Sequence, residues 1–195
     1  DAVIEEQGAV RGAVGIFDQT SFGKLRVQGR DALAVLERLC ANRIDVPVGR
    51  AVYTAMLNAR GGFESDLTVQ RLGVEEFFVV TGTAQPVRDG AWIRRQLRSG
   101  EDVRVADVTA EWSVLSLMGP RAPQLLSMID MDCRPVPLSY VGGAGFELYV
   151  PDEKEAALYE ELHEKGDEIG LRECGYYTLD ALRLEAGRRG FPSEL

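Results

Sequence analysis

Two glycine-rich turns, each next to an apolar run that one acid interrupts, constrain this chain more than any other feature. In the first, Tyr53-Thr-Ala-Met-Leu-Asn58 leads to Gly61-Gly62 and then to Phe63-Glu-Ser-Asp66-Leu-Thr-Val-Gln-Arg71. Phe63, Leu67 and Val69 alternate with Glu64, Thr68 and Gln70, the period of a half-buried strand, with Asp66 in mid-run. In the second, Leu138 and Tyr140 enter a turn made from Gly142, Gly143 and Gly145, and Phe146-Glu147-Leu-Tyr-Val150 leaves it. Glu147 breaks an otherwise apolar strand, which is a costly place for a carboxylate unless something pairs with it.

The rest of the chain supplies further strands and helices in no fixed alternation. Lys24 to Gln28 reads as a strand ending at Gly29. A helix capped by Asp31 follows, with Leu33, Leu36, Leu39 and Cys40 on one face. Runs 62–71 and 75–81 form a hairpin through Leu72-Gly73-Val74, and a helix from Arg88 to Leu97 carries Trp92 and Ile93. Glu111 to Met118 is a strand. Gly119-Pro120-Arg121 turns it into a helix ending near Met128, with the proline in its first turn. Asp152 and Glu155 resemble a capping box that opens a helix through Leu158 and Leu162 to Gly166, and a last helix runs from Tyr177 to Gly187. Hairpin groups between helices, without regular βαβ order, predict an α+β fold.

With 195 residues, the chain is long enough for one sizeable core or two small ones. The expectation is a single domain over 1–195, bilobed, with lobes of roughly 1–50 plus 108–195 and of 51–107. The net charge of −9 disfavours nonspecific binding to nucleic acid or to an anionic membrane. Three widely spaced cysteines (Cys40, Cys133 and Cys174) argue against a disulfide framework and for a reducing, cytoplasmic home. The lone histidine, His163, sits in a Glu-rich helical stretch and is expected at the solvated surface. Neither a metal site nor a His-based catalytic dyad is expected. No apolar run reaches the ~20 residues of a membrane span. The missing initial Met and the ending Pro192-Ser-Glu-Leu195 suggest a piece of a longer protein.

Residue types alone leave the chemistry open. Asp66 reads equally as a solvent-facing strand acid. Glu147 suits a carboxylate accepting two parallel donors from a heterocycle, or one salt-bridged to an arginine such as Arg183. Tyr53 and Tyr140 read as core aromatics or as ligand platforms. Gly119-Pro120-Arg121 precedes a helix N-terminus but lacks the glycine spacing of a phosphate loop.

Seven motifs in order then carry a resemblance over nearly the whole chain. They are Gly15-Ile-Phe-Asp-Gln-Thr-Ser-Phe-Gly23-Lys, Tyr53 to Asn58 with Gly61-Gly62, Ser65-Asp66-Leu-Thr-Val, Leu117-Met-Gly-Pro120, Tyr140-Val-Gly, Phe146-Glu147-Leu-Tyr-Val-Pro151 and Leu182-Arg-Leu-Glu-Ala-Gly187. Together they resemble the folate-binding domain of the aminomethyltransferase family. The wording around Asp66 and Gly15–Gly23 is more similar to the sarcosine and dimethylglycine dehydrogenase branch than to the glycine-cleavage branch. The resemblance implies mixed or antiparallel sheets with flanking helices, without the C-terminal barrel.

By the same resemblance Asp66 is the catalytic acid beside the tetrahydrofolate nitrogens. Glu147 binds the pterin N–H edge, Tyr140 lies against the folate and Tyr53 contributes to the pocket wall. The implied ligands are tetrahydrofolate and a methylamine-type donor, with 5,10-methylenetetrahydrofolate as product. FAD belongs to a fused or partner flavin dehydrogenase domain or subunit. Leu179 stands where glycine-cleavage enzymes carry an arginine for the folate tail, and the segment 128–137 is shorter than the family pattern. A noncatalytic regulatory or interaction module with the same fold is the rival expectation.

Overall fold

In the computed structural model, which describes residues 2–194, the chain divides into two compact units. One comprises the residues up to Thr20 with Glu111–Gly190, the other Ser21–Ala110 with the residues after Gly190. Asp1 and Leu195, the ends of the expected 1–195 domain, lie outside the described residues. In chain order the elements are α1 (Ala2–Gly12), β1 (Val14–Asp18), β2 (Gly23–Gln28), α2 (Ala32–Leu39), β3 (Ala51–Leu57), β4 (Phe63–Arg71), β5 (Glu76–Thr81) and α3 (Pro86–Arg95). There follow β6 (Arg104–Asp107), β7 (Trp112–Met118), α4 (Ala122–Leu126), β8 (Arg134–Pro137), β9 (Gly145–Pro151), α5 (Glu155–Gly166), β10 (Leu171–Glu173) and α6 (Tyr176–Glu185).

Among the described residues the first unit holds a sheet of order β10-β1-β7-β9-β8, in which only the β1–β10 pair is parallel. Strand alternation gives this sheet two faces. Val14, Ile16, Leu115, Leu117, Leu148 and Val150 pack against Leu125 of α4 and Leu158 and Leu162 of α5. Phe17 and Met118 on the opposite face meet Val10 of α1 and Leu179 and Leu182 of α6. The outer strand β8 carries Pro135 and Pro137 at alternate positions, so half its N–H groups are missing and no further strand can extend the ladder there.

The second unit holds an antiparallel sheet of order β3-β4-β5-β2-β6. Its core face is Leu25, Val27, Leu67, Val69, Phe77 and Val79, covered by Val35, Leu36 and Leu39 of α2 and Ile93 of α3. The alternation read from β4 holds only in part: Leu67 and Val69 point into this core and Asp66 stands on the other face. Phe63, expected inward, is exposed at the strand's start, and Thr68 and Gln70, expected on a solvated face, are buried. Both sheets are open, and the architecture is α+β.

Several local expectations are corrected. Residues 21–50 fall in the second unit because β2 pairs with both β5 and β6. Asp31 precedes α2 without capping it; its Oδ2 accepts the N–H of Asp102 at 2.8 Å instead. The proline in the first turn of α4 is Pro123, not Pro120, and the helix ends at Leu126. Gly119 has φ +133°, and a Cβ there would sit 2.6 Å from two carbonyl oxygens, so the turn is dictated by crowding. Arg121 gives its guanidinium to the carbonyl of Ile169 at 2.9 Å.

Asp152 and Glu155 form no capping box; both carboxylates flank the Ser113 hydroxyl, at 2.9 and 3.0 Å. His163 is half-buried rather than solvated, its ring 4.4 Å from that of Tyr159 and its Nε2 3.5 Å from Glu173. The short link between α4 and β8 is well anchored. Glu161 of α5 accepts the N–H groups of Asp130 and Met131 at 2.6 and 3.1 Å, while Met128, Ile129 and Met131 pack on the core.

Candidate functional site

In the second unit Asp66 pairs with Ala55 across β3–β4, and Tyr53 pairs with Thr68. Pleating puts Tyr53 and Asp66 diagonally on one face, within reach of each other. The Tyr53 hydroxyl donates to Asp66 Oδ2 at 2.9 Å. The tyrosine is half exposed (49%) and the aspartate half-buried, so the acid is accessible yet partly desolvated. Burial pushes the Asp66 carboxyl above its ordinary range, against the opposing pull of the Tyr53 hydroxyl and of a backbone N–H. Such a carboxylate is a stronger proton acceptor than a free one.

On the other face of the same strands, Ser65, Thr81, Gln85 and Asp89 form a buried polar group that the sequence reading missed. Asp89 Oδ2 lies within hydrogen-bond distance of the hydroxyl oxygens of Ser65, at 2.7 Å, and of Thr81, at 2.5 Å. The available signal was an acid on the stripe of α3 that also carries Ile93, four residues beyond it, where an apolar residue is expected.

In the first unit Glu147 pairs with Ser116 and Val136, on the face that also carries Phe17 and Met118. It is 4% exposed and accepts the hydroxyl of Tyr149, two residues along the same strand. Burial raises its carboxyl above the ordinary range, and the Tyr149 hydroxyl only partly offsets this. The alternative of a salt bridge to Arg183 is not what the structure shows; Arg183 is bonded to Asp180 Oδ1 at 2.7 Å and to the Arg188 carbonyl at 3.0 Å. Tyr149 is the partner the sequence reading missed, and its i+2 position on a strand was the available signal. Ser116, beside Glu147, is bonded to Gln19.

Tyr140 packs against the cluster of Val10, Phe17, Met118, Leu179 and Leu182, and its hydroxyl donates to the Arg189 carbonyl at 3.0 Å. It therefore lies over the same sheet face as Glu147. Leu179, in the position expected of a tail-binding arginine, is a core residue there, 7% exposed. The structure thus brings Tyr53 to Asp66 and sets Tyr140 over the face that carries Glu147. Among the described residues no cluster of His, Cys, Asp and Glu could hold a metal ion, and no helix is long and apolar enough to cross a membrane.

Two open sheets flanked by helices, one with the Tyr53–Asp66 pair and the other with a buried Glu147, define an α+β protein with an unusual acid on each sheet. The family model of the GCVT N-terminal domain matches residues 1–135 and 128–195, and the chain belongs to that family. It is 34% identical to the mouse mitochondrial pyruvate dehydrogenase phosphatase regulatory subunit over 95% of this chain and 24% of that protein. It is likewise 34% identical to rat mitochondrial dimethylglycine dehydrogenase over 93% of this chain and 24% of that protein. The solved glycine cleavage system aminomethyltransferase T of Bartonella henselae superposes with TM-score 0.85 at 26% identity, over 96% of this chain and 55% of that one. The chain thus spans about a quarter of the length of these curated relatives. The alignment with the mouse protein runs over 209 positions, more than the 195 residues of the chain. The two family matches overlap over residues 128–135, at the short link that Glu161 closes.

Proposed function

We propose that this chain is a tetrahydrofolate-binding one-carbon transfer domain, taking a methylene unit from an N-methyl or aminomethyl donor to give 5,10-methylenetetrahydrofolate. The observation that carries the reading is Asp66: a partly desolvated carboxylate, raised in proton affinity and aimed by the Tyr53 hydroxyl, in a member of an aminomethyltransferase-like family. Bound tetrahydrofolate would supply the nucleophilic nitrogens. Asp66 takes the proton that such a nitrogen releases as it attacks the donor carbon. Tyr53 holds the carboxylate in place and stabilises its ionised form before that transfer.

The donor set also fits the ligand. Tyr149 supplies one hydrogen bond to a carboxylate with about four lone-pair sites, so Glu147 retains acceptor capacity for the N–H groups of a pterin edge. Tyr140 offers an aromatic surface over the same sheet face. A flavin dehydrogenase domain or subunit is the partner this reading implies, since the relatives include a dimethylglycine dehydrogenase.

A noncatalytic module is the second reading. It is favoured by the relative named as a regulatory subunit and by the apolar Leu179. Titration of the intact protein with tetrahydrofolate tests the two. Saturable binding that Glu147→Gln weakens supports the folate reading, and absence of binding supports the module.

A further inference from the structure

Helix α3 presses an acid into the core of the second unit. Asp89 has no exposed surface, and its Oδ1 is buried without a hydrogen-bond partner. Its Oδ2 receives all the contacts, from Ser65 and Thr81. An ionised carboxylate with one oxygen bare in a low-dielectric interior is strongly disfavoured, whereas the carbonyl oxygen of a neutral acid tolerates that position far better.

A count of protons gives the same answer. Ser65 Oγ lies 2.7 Å from Asp89 Oδ2 and 3.0 Å from Gln85 Oε1, with the Asp66 carbonyl and Thr81 Oγ1 further off at 3.3 Å, so one hydroxyl proton faces two close acceptors. A proton on Asp89 Oδ2 resolves this: Asp89 donates to Ser65, Ser65 donates to Gln85, and Thr81 donates to Asp89. The charged groups acting on Asp89 are Arg88 and Asp66. Arg88, on its own helix, favours ionisation but is paired with Glu64 of β4 at 3.2 Å; Asp66 opposes ionisation, as does burial above all.

The position of this network matters as much as its charge. Ser65 is the residue before Asp66 and faces inward from β4, and Thr81 pairs with Leu67, the residue after it. Asp89 therefore ties β4 and β5 together directly behind the strand segment that presents Asp66 on the opposite face. We propose that Asp89 is a protonated acid at neutral pH, a positioning residue that fixes β4 behind Asp66 and keeps the shared negative charge on Asp66. Two neighbouring carboxyls of different environment then divide the work: one keeps its proton and the other ionises. The inference rests on the proposed role of Asp66.

Infrared spectroscopy of the intact protein tests it without any turnover. At neutral pH the carbonyl band of a protonated carboxylic acid should be present and should lose intensity in Asp89→Asn, a loss that persists in a Glu147→Gln background, where the other buried raised acid no longer contributes. Because an amide is also neutral, Asp89→Asn should leave the pH midpoint of product formation in place. Asp89→Ala, which empties the network, should lower kcat by about 10–100-fold with KM for folate little changed, the signature of a misplaced acid. Absence of the band, a band unchanged in Asp89→Asn, or a midpoint moved to lower pH in that variant would mean an ionised Asp89 with the Gln85 amide reversed, and would overturn the proposal. If Asp89→Ala fails to fold, the band and the Asn midpoint still decide. Should Asp66→Asn prove harmless to product formation, the one-carbon reading fails, while the infrared band still reports the state of Asp89 independently.

Discussion

The Tyr53 hydroxyl donates a hydrogen bond to Asp66 Oδ2 across the β3–β4 pair at 2.9 Å, and this bond works against the burial that raises the acid. Tyr53→Phe removes a side-chain donor that favours the ionised form, so the Asp66 carboxyl should rise further. A base must be ionised to act, so the acidic limb of the kcat/KM profile should move to higher pH in this variant. A profile of unchanged shape would show that the hydroxyl does not tune the acid.

Glu147 should trade stability for binding. Its folded-state proton affinity is raised, so its contribution to stability is fully present below the unfolded value of about 4.3 and is lost as pH climbs through the folded one. Glu147→Gln does not titrate. Its stability advantage over the parent, read from urea midpoints, should be small near pH 4 and grow toward pH 7. The same variant leaves one ligand donor unsatisfied and should weaken folate binding by roughly 1–3 kcal/mol. A stability difference independent of pH would contradict the assignment.

Gly29 and Gly49 separate crowding from backbone strain. Both have positive φ, +135° and +87°, but a Cβ on Gly29 would lie 2.1 Å from the Asp102 carbonyl, whereas Gly49 faces open space. Gly29→Ala should cost about 2–5 kcal/mol and Gly49→Ala about 1–2 kcal/mol. Chemical denaturation of the two variants checks the order.

Glu161 should control the short link between α4 and β8. Glu161→Ala removes the acceptor for the Asp130 and Met131 amides, and the lost carboxylate bonds should cost about 1–2 kcal/mol. Hydrogen exchange should speed up first at residues 128–133, ahead of any change in the β7–β9 ladder.

The strands that frame the site were legible from alternation in β2 and β4 and from short apolar runs bounded by turn residues in β5, β7 and β9, and all five lie within a residue or two of their expected places. Capping was legible in composition only. Asp31, Asp152 and Glu155 have the right residue types but spend their oxygens on Asp102 and Ser113, contacts that tertiary packing decides. Asp66 and Glu147 stood out as acids inside apolar strands. Their tyrosine partners differ in kind: Tyr149 was two positions away on the same strand, whereas the Tyr53 bond depends on a β3–β4 register that no local pattern specifies. Asp89 escaped notice because a helical acid reads as solvent-facing until the helix is docked on its sheet.

The most direct test of the account is the rate of 5,10-methylenetetrahydrofolate formation by the intact protein and its Asp66→Asn variant at saturating folate. If Asp66 is the proton acceptor, the variant should bind folate much as the parent does and form product about 10²–10⁴-fold more slowly. Product formed at the parent rate would contradict the one-carbon transfer role of Asp66.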